Sequence, residues 1–321
     1  MEASYITWLR QHVGQSKVFL PFATVIVRDE LNRVLVQRRA DFDFWGLPGG
    51  VLELYETIEE GARRELREET GLDVGHLRLV GIYTDPKYDV TYPNGDQVQQ
   101  FTVCLEGRAL PGRMQADGVE TLGQRFVSYA ELASYDLPIW YRDMLDEAQE
   151  PAPPQFRPAY AAPNPIDQVA TIRPYVGHDI FSGVGSSVVL TDEKGRILML
   201  QHVGEVHWRV PSGYANLGEN AAHTAVREIK EELNLDIEPQ RIIGVSATPR
   251  LITTYNNGDR VRVVDVIFAA RVTGGQLHLD ESEIADLRWV APEEAPGCVH
   301  PSRVAHYEAI VNHLHKGYFV D

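Results

Sequence analysis

The chain has 321 residues and a formal net charge of −16 at neutral pH. That acidic balance argues against a groove for a nucleic-acid polymer, whose affinity rests on basic residues facing phosphates. It leaves room for a small phosphorylated ligand held by a metal and a few arginines. Cys104 and Cys298 build no disulfide framework, no long apolar stretch suits a membrane, and no basic segment followed by an apolar run opens the chain, so a soluble cytoplasmic protein is expected.

In chain order, residues 22–27 and 34–38 read as strands around a turn at 30–33. A glycine-containing loop then leads into a helix. Thr57 followed three residues later by Glu60 is a capping-box start, and Gly71 is a natural left-handed stop. A strand at 77–83, a hairpin turn at Asn94-Gly95, a strand at 101–108, a late strand beginning at Phe126-Val127 and a closing helix at 138–149 complete this half. Residues 150–165 hold six prolines in sixteen positions, which predicts an extended, semi-rigid linker. The second half repeats the order with strands at 186–190, 197–201, 242–246, 263–272 and 287–290 and a helix at 302–315. The expected domains are 1–149 and 167–321, joined by a linker over 150–166, each large enough for its own core.

A 23-residue pattern occurs in both halves, 163 residues apart. The first copy is Gly50-x5-Glu56-x7-Arg64-Glu65-Leu66-x-Glu68-Glu69-x-Gly71-Leu72. The second is Gly213-x5-Glu219-x7-Arg227-Glu228-Ile229-x-Glu231-Glu232-x-Asn234-Leu235. On the first helix Glu65, Glu68 and Glu69 stand at i, i+3 and i+4, so their carboxylates share one exposed face and repel one another. A divalent cation removes that repulsion, and an oxygen-rich site suits a hard ion such as Mg2+. Arg64, four residues before Glu68, is placed to orient a ligand. In the second copy Asn220 replaces Thr57 as the cap, and Asn234 replaces Gly71, asparagine being the usual second choice in a left-handed conformation. The offset also pairs Val13-Gly14 with Val176-Gly177, Trp45 with Trp208, Gly81 with Gly244, Asn94-Gly95-Asp96 with Asn257-Gly258-Asp259 and Pro138 with Pro301. One domain has been duplicated; the period is far too long for a solenoid.

The pattern resembles the Nudix box, the signature of hydrolases that cut diphosphate linkages in nucleotides and related molecules. The first copy matches it throughout; the second departs at Asn234. The resemblance implies two α/β/α sandwich domains around mixed sheets, Mg2+ as cofactor with Mn2+ as a substitute, and a small nucleotide-type diphosphate as substrate. It implies metal ligands at the Gly50 carbonyl, Glu65, Glu68 and Glu69, with Gly213, Glu228, Glu231 and Glu232 in the second copy. Many family members carry a further acidic residue in a late loop. Glu120 and Glu283, equivalent through the offset, are the candidates, and Glu281 competes in the second copy. The proton acceptor stays open among Glu65, Glu68 and Glu120.

Around the box, Arg38 and Arg39 are candidate phosphate clamps, replaced by Gln201 and His202 in the second copy. Trp45 and Trp208 either stack on a base or pack the loop. Pro86, with its partner Pro249, has a spacing found in ADP-ribose hydrolases of the family, whereas Tyr88 has one linked with dinucleoside polyphosphate hydrolases. His300, His306, His313 and His315 offer no convincing zinc set. Three alternatives stand beside hydrolysis: a ligand-sensing regulator, a second copy serving only for binding or dimerisation, and an isopentenyl diphosphate isomerase. The last needs a catalytic cysteine that neither Cys104 nor Cys298 obviously supplies. The two copies are expected to pair as a pseudo-dimer within the chain.

Overall fold

The computed structural model describes residues 4–42, 44–116, 118–255 and 257–321. The chain divides into two compact units, Met1–Phe156 and Arg157–Asp321. The first contains α1 (Tyr5–Val13), β1 (Val18–Arg28), β2 (Val34–Arg39), β3 (Trp45–Gly46), β4 (Gly49–Val51), α2 (Ile58–Thr70), β5 (Arg78–Tyr83), β6 (Val90–Thr91), β7 (Gln97–Arg108), β8 (Thr121–Val127), α3 (Tyr129–Leu132) and α4 (Ile139–Glu147). The second contains β9 (Ala161–Asp167), α5 (Gln168–Val176), β10 (Phe181–Val189), β11 (Ile197–His202), β12 (Trp208–Arg209), β13 (Ser212–Tyr214), β14 (Asn216–Glu219), α6 (Ala221–Leu233), β15 (Leu235–Ser246), β16 (Ile252–Thr254), β17 (Arg260–Gly275), β18 (Ile284–Val290), α7 (Val304–Asn312) and β19 (Phe319–Val320).

Both units are built on mixed sheets, the α/β class predicted. In the first, the path runs β3-β2-β1-β7-β5, with β4 on β1, β6 on β7 and β8 on β2. β1 and β7 are parallel, Thr24 opposite Cys104, while β4 returns antiparallel with Gly50 opposite Ala23. The second unit keeps that register at the 163-residue offset: Ser187 faces Ile267 and Gly213 faces Ser186. The central strands are buried along nearly their whole length, as expected for strands covered on both faces. α2 packs on β1 and β4. Ile26, Val36, Leu47 and Tyr83 form a core cluster with Tyr141, Met144 and Leu145 of α4. Ile243, Ile267, Tyr307 and Ile310 hold the corresponding place in the second unit.

The ends of the box helices follow from local chemistry. Thr57 accepts from the backbone of Glu60 and the Glu60 side chain accepts from Thr57, completing the capping box, and Gly71 ends α2 with φ 71°. Asn220 caps α6 and Asn234 ends it in the left-handed conformation, φ 54°.

Several bounds differ from the sequence reading. β8 starts at Thr121 and ends at Val127, because it pairs along β2 from Val34 to Arg39; Phe126-Val127 closes the strand instead of opening it. The Pro-rich stretch is ordered at both ends. Gln155 bonds both ways across β5, its carbonyl accepting from Ile82 and its amide donating to Val80, and β9 pairs with β14. Proline lacks an amide hydrogen but tolerates a sheet edge, where half of the backbone groups need no partner. Gly81 makes the first docking possible: a Cβ there would stand 2.5 Å from the Gln155 oxygen. Gly244, its equivalent, admits the Phe319 ring, 2.3 Å from where a Cβ would lie. In each unit a segment near its C-terminal bound pairs with the equivalent strand, Gln155 with β5 and β19 with β15. No helix among the described residues is long and apolar enough to cross a membrane.

Candidate active site

Gly49 and Gly50 sit in the short strand that faces α2. Gly49 has φ 145° and no room for a Cβ, which would fall 2.3 Å from the Ala23 carbonyl oxygen. Its amide donates to Oε2 of Glu69 at 2.8 Å. A Cβ on Gly50 would lie 2.4 Å from the Glu65 carboxylate carbon. The loop backbone is thus pressed against the carboxylates of the helix. Arg64 ties the two together. It donates to both oxygens of Glu56 (2.9 and 2.7 Å), to Glu65 (2.7 Å), to Glu68 (3.1 Å) and to the Val51 carbonyl (3.1 Å).

The three carboxylates of α2 do not share one environment. Glu68 is exposed, Glu65 half-buried, and Glu69 buried at 3% exposure. Desolvation raises the Glu65 pKa against the pull of Arg64. It pushes Glu69 up to about 8, although the Gly49 amide and Arg39 favour its charged form. Burial outweighs the favourable contacts that this acid has. The second unit repeats the arrangement: Arg227 donates to Glu219, Glu228 and Glu231, each at 2.7 Å, and to the Tyr214 carbonyl. Burial pushes Glu228 to about 7 and Glu232 to about 8.

A cavity of about 620 Å³ opens over the first acidic face. Its lining includes Gly49, Gly50, Glu65, Glu68, Glu69 and Glu120 together with the rings of Phe42, Phe44, Tyr92, Trp140 and Tyr141. Phe42 stacks on Phe44 with centroids 5.0 Å apart and leans on Tyr92 at the same distance, while Trp140 meets Phe44 edge-on at 6.1 Å. Sequence reasoning missed this wall. Its members come from the β2–β3 loop, the β6–β7 turn and α4, and only the aromatic content of Phe42 and Phe44 beside Trp45 hinted at it.

The predicted substrate contacts separate. Arg39 lines the cavity, bound by Asp41 through two bonds of 3.0 and 2.7 Å and standing 3.8 Å from Glu69. Burial opposes its charge, but Asp41, Tyr141 and Glu69 together raise its pKa. Arg38 is exposed and does not line the cavity, since neighbours on a strand point to opposite faces. Trp45 does not line it either. The ring packs edge-on to Tyr135 at 5.1 Å beneath the Arg125 guanidinium, and Trp208 lies under Arg288 in the same way. Glu120 lines the cavity, and its carbonyl accepts from the Ala40 amide; Glu283 accepts from Val203 identically. Tyr88 is buried with its hydroxyl on Asp143. Pro86 and Pro249 each begin a 3-10 turn. His306 packs against Phe319, and His300 bonds Ser302.

Among the described residues, no three His, Cys, Asp or Glu side chains already stand in a metal-holding arrangement. The cations on these carboxylates are arginines. By chemistry the donors nevertheless fit a divalent ion: an all-oxygen set in the first unit, where Glu65 and Glu69 have raised pKa values, and in the second a buried Glu232 Oε2 that meets no donor.

Comparison with known proteins identifies the class. The family model described as "NUDIX domain" matches residues 19–148 and 182–311. The chain belongs to the NUDIX domain family, as two successive copies of its domain. Over 124 residues it is 35% identical to a protein of Bacillus subtilis (strain 168) provisionally named 8-oxo-dGTP diphosphatase, covering 39% of this chain and 76% of that one. Over 61 residues it is 43% identical to the ADP-ribose pyrophosphatase of Methanocaldococcus jannaschii, covering 18% of this chain and 36% of that one. A MutT-like protein of Streptomyces ambofaciens is 54% identical over 61 residues, 19% of this chain and 39% of its own length. The chain thus spans well under half of these last two relatives. Among solved structures, an ADP-ribose pyrophosphatase of Streptococcus suis shares 19% identity and a TM-score of 0.35, covering 44% of this chain and 100% of that one. The Bacillus and Methanocaldococcus relatives carry the names of hydrolases acting on acid anhydrides.

Proposed function

We propose that the chain is an Mg2+-dependent diphosphohydrolase for a nucleoside diphosphate carrying a further group, ADP-ribose or a nucleotide sugar, or for a nucleoside triphosphate. The N-terminal unit is the principal site. One observation carries the reading: a single cavity joins an acidic, cation-seeking face to an aromatic wall. Such a cavity accommodates both ends of a nucleotide, since the wall offers rings on which a base stacks and the acidic face calls for a cation that a diphosphate also binds. The names of the Bacillus and Methanocaldococcus relatives point to the same substrate class.

The residues that would hold the ion are Glu65, Glu68 and Glu69 with the Gly50 backbone. When bound, the ion neutralises the diphosphate and lowers the pKa of an attacking water. The chain's own residues do the rest. Arg64 fixes the orientation of Glu65 and Glu68, Arg39 holds positive charge at the cavity edge, and the wall positions the base. Water attacks one phosphorus, the bridging P–O bond breaks, and a carboxylate among Glu65, Glu68 and Glu120 takes the proton.

The test is a panel of ADP-ribose, nucleotide sugars, nucleoside triphosphates and dinucleoside polyphosphates, assayed with Mg2+. Glu69→Gln, which keeps the shape and the Gly49 bond, is expected to lower kcat by about 100-fold or more with an unchanged circular dichroism spectrum. Trp140→Ala is expected to raise KM about tenfold with little loss of kcat. Near-normal turnover in Glu69→Gln would overturn the assignment.

A further inference from the structure

Position 202 of the C-terminal unit is the equivalent of Arg39, 163 residues on. It is a histidine, and its Nε2 is buried and meets no hydrogen-bond partner. That nitrogen lies 3.5 Å from Oε1 of Glu232. Oε2 of the same carboxylate is also buried without a donor. The N-terminal unit fills both places. Arg39 supplies a fixed positive charge 3.8 Å from Oε1 of Glu69, and the Gly49 amide bonds Oε2. Ser212 stands where Gly49 does, and no bond from its amide reaches Glu232 Oε2.

A separation of 3.5 Å between Nε2 and Oε1 is too long for a good N–H···O hydrogen bond. It is close to the distance between two ligand atoms on one cation, since bonds of about 2.1 Å set at 90° to 109° place the donors roughly 3.0–3.4 Å apart. Two polar groups without hydrogen-bond partners, His202 Nε2 and Glu232 Oε2, thus belong to side chains that approach to 3.5 Å. We infer that His202 and Glu232 form a mixed nitrogen–oxygen ligand pair. The C-terminal acidic face thereby selects a transition-metal divalent cation, of the Mn2+, Co2+ or Zn2+ kind, over Mg2+, while the all-oxygen N-terminal face suits Mg2+. The reason is ligand chemistry: imidazole adds affinity for first-row transition ions and little for Mg2+, which keeps to oxygen. Arg209 pairs with Glu205 at 3.4 Å, and its charge also reaches His202 and Glu232, so a bound ion competes with it for Glu232. The inference rests on the reading of the glutamate helix as a metal face.

The experiment uses the full chain. Mn2+ is added and electron paramagnetic resonance is used to look for coupling to a 14N nucleus, and Co2+ is titrated by its visible absorption against competing Mg2+. The measurements are made on the wild type, on Glu65→Gln/Glu69→Gln to silence the N-terminal face, and on His202→Gln and His202→Arg. The expected result is 14N coupling in the wild type and in the N-terminal double variant, absent in His202→Gln. Preference for Co2+ over Mg2+ at the C-terminal face should fall on the order of tenfold or more in His202→Gln. His202→Arg, which restores the N-terminal residue, should abolish the preference. Bound Mn2+ without nitrogen coupling, or an unchanged preference in His202→Gln, overturns the inference. Should the double variant fail to fold, the difference between wild type and His202→Gln reads the same quantity. If Mg2+ still drives hydrolysis while the nitrogen signal is missing, only this inference fails; if no cation binds either face, the proposed function fails with it.

Discussion

The two units carry the same acidic helix and differ in what stands before it. In both, one arginine binds three glutamates and a strand carbonyl, at Arg64 and at Arg227. Around that face the residue types change. The N-terminal cavity has Thr24, Val51, Val90, Tyr92 and Trp140; the equivalent positions are Ser187, Tyr214, Thr253, Tyr255 and Arg303. Ser187 donates to the buried Asp265 at 2.6 Å, where the first unit has Thr102, Tyr255 bonds Tyr214 at 2.9 Å, and Arg303 bonds Thr253 at 3.2 Å. Of the wall itself, Phe42, Phe44 and Trp140 give way to Glu205, His207 and Arg303, so a mostly aromatic wall has become a more polar one. Helix geometry alone fixes the spacing of the carboxylates, so a duplicated scaffold keeps them easily, while the wall is assembled from several elements, each free to change.

The largest expected contrast concerns the arginines. Glu219 has a fully buried side chain, whereas Glu56 is 13% exposed. Removing one partner of a buried pair leaves an uncompensated charge, at a cost of about 3–5 kcal/mol. Arg227→Ala should lose stability of that order. Arg64→Ala should lose about half as much, because water reaches Glu56 and Arg64 and screens them. Urea unfolding, combined with amide exchange to tell the units apart, measures both. Equal losses would break the claim that the second unit buries its network more deeply.

Asp265 sharpens the contrast through pH. Burial raises its pKa to about 6, against the Ser187 hydrogen bond, while the unfolded value is about 3.9. Between those values the folded chain holds more protons than the unfolded chain, so stability falls as pH rises from about 4 to 6, and the loss is complete above that. The difference of about two units corresponds to roughly 3 kcal/mol. Asp265→Asn should match the wild type at pH 4 and exceed it at pH 7 by up to that amount in urea unfolding. Thr102, at the equivalent position, does not titrate, and Thr102→Ser should leave the pH profile unchanged.

What the sequence revealed was local or periodic. Thr57, Glu60 and Gly71 mark a helix through contacts within a few residues. The Glu65, Glu68, Glu69 spacing needs only helical geometry, and the offset of 163 residues exposed the duplication. What stayed hidden was set by pairing across the sheet. Which of Arg38 and Arg39 reaches the cavity depends on the face that β2 presents and on the bulge between them where β8 pairs. Trp45 lies where Tyr135 and Arg125 make a packing site, and those residues are 80 or more positions away. The exposed face assigned to Glu69 is buried because β4 covers it, and spacing along a helix says nothing of that. The proline run read as a linker because composition reports stiffness, not docking. Gly81 and Gly244 marked the docking sites, since a glycine repeated within a strand signals a close approach.

The smallest contrast lies at the helix ends and tests whether Asn234 is a defect. Asn234 adopts φ 54°, and its side-chain amide donates to the Gln276 carbonyl at 3.0 Å. Asn234→Gly relieves the left-handed conformation, worth about 0.5–1 kcal/mol, and removes a hydrogen bond worth about the same. The two effects cancel, and stability should change by no more than about 0.5 kcal/mol. Gly71→Asn is not the mirror image. A Cβ there would stand 3.2 Å from the Arg113 carbonyl oxygen and 3.3 Å from the Gln115 Cβ, tighter than ordinary contact. The substitution therefore adds crowding to the backbone penalty and should cost about 1–2 kcal/mol. The pair of measurements has an asymmetric expectation, near zero in one direction and a clear loss in the other. A gain for Asn234→Gly equal to the loss for Gly71→Asn would mean that asparagine is merely the worse residue at this position, and that the second copy had adapted nothing around it.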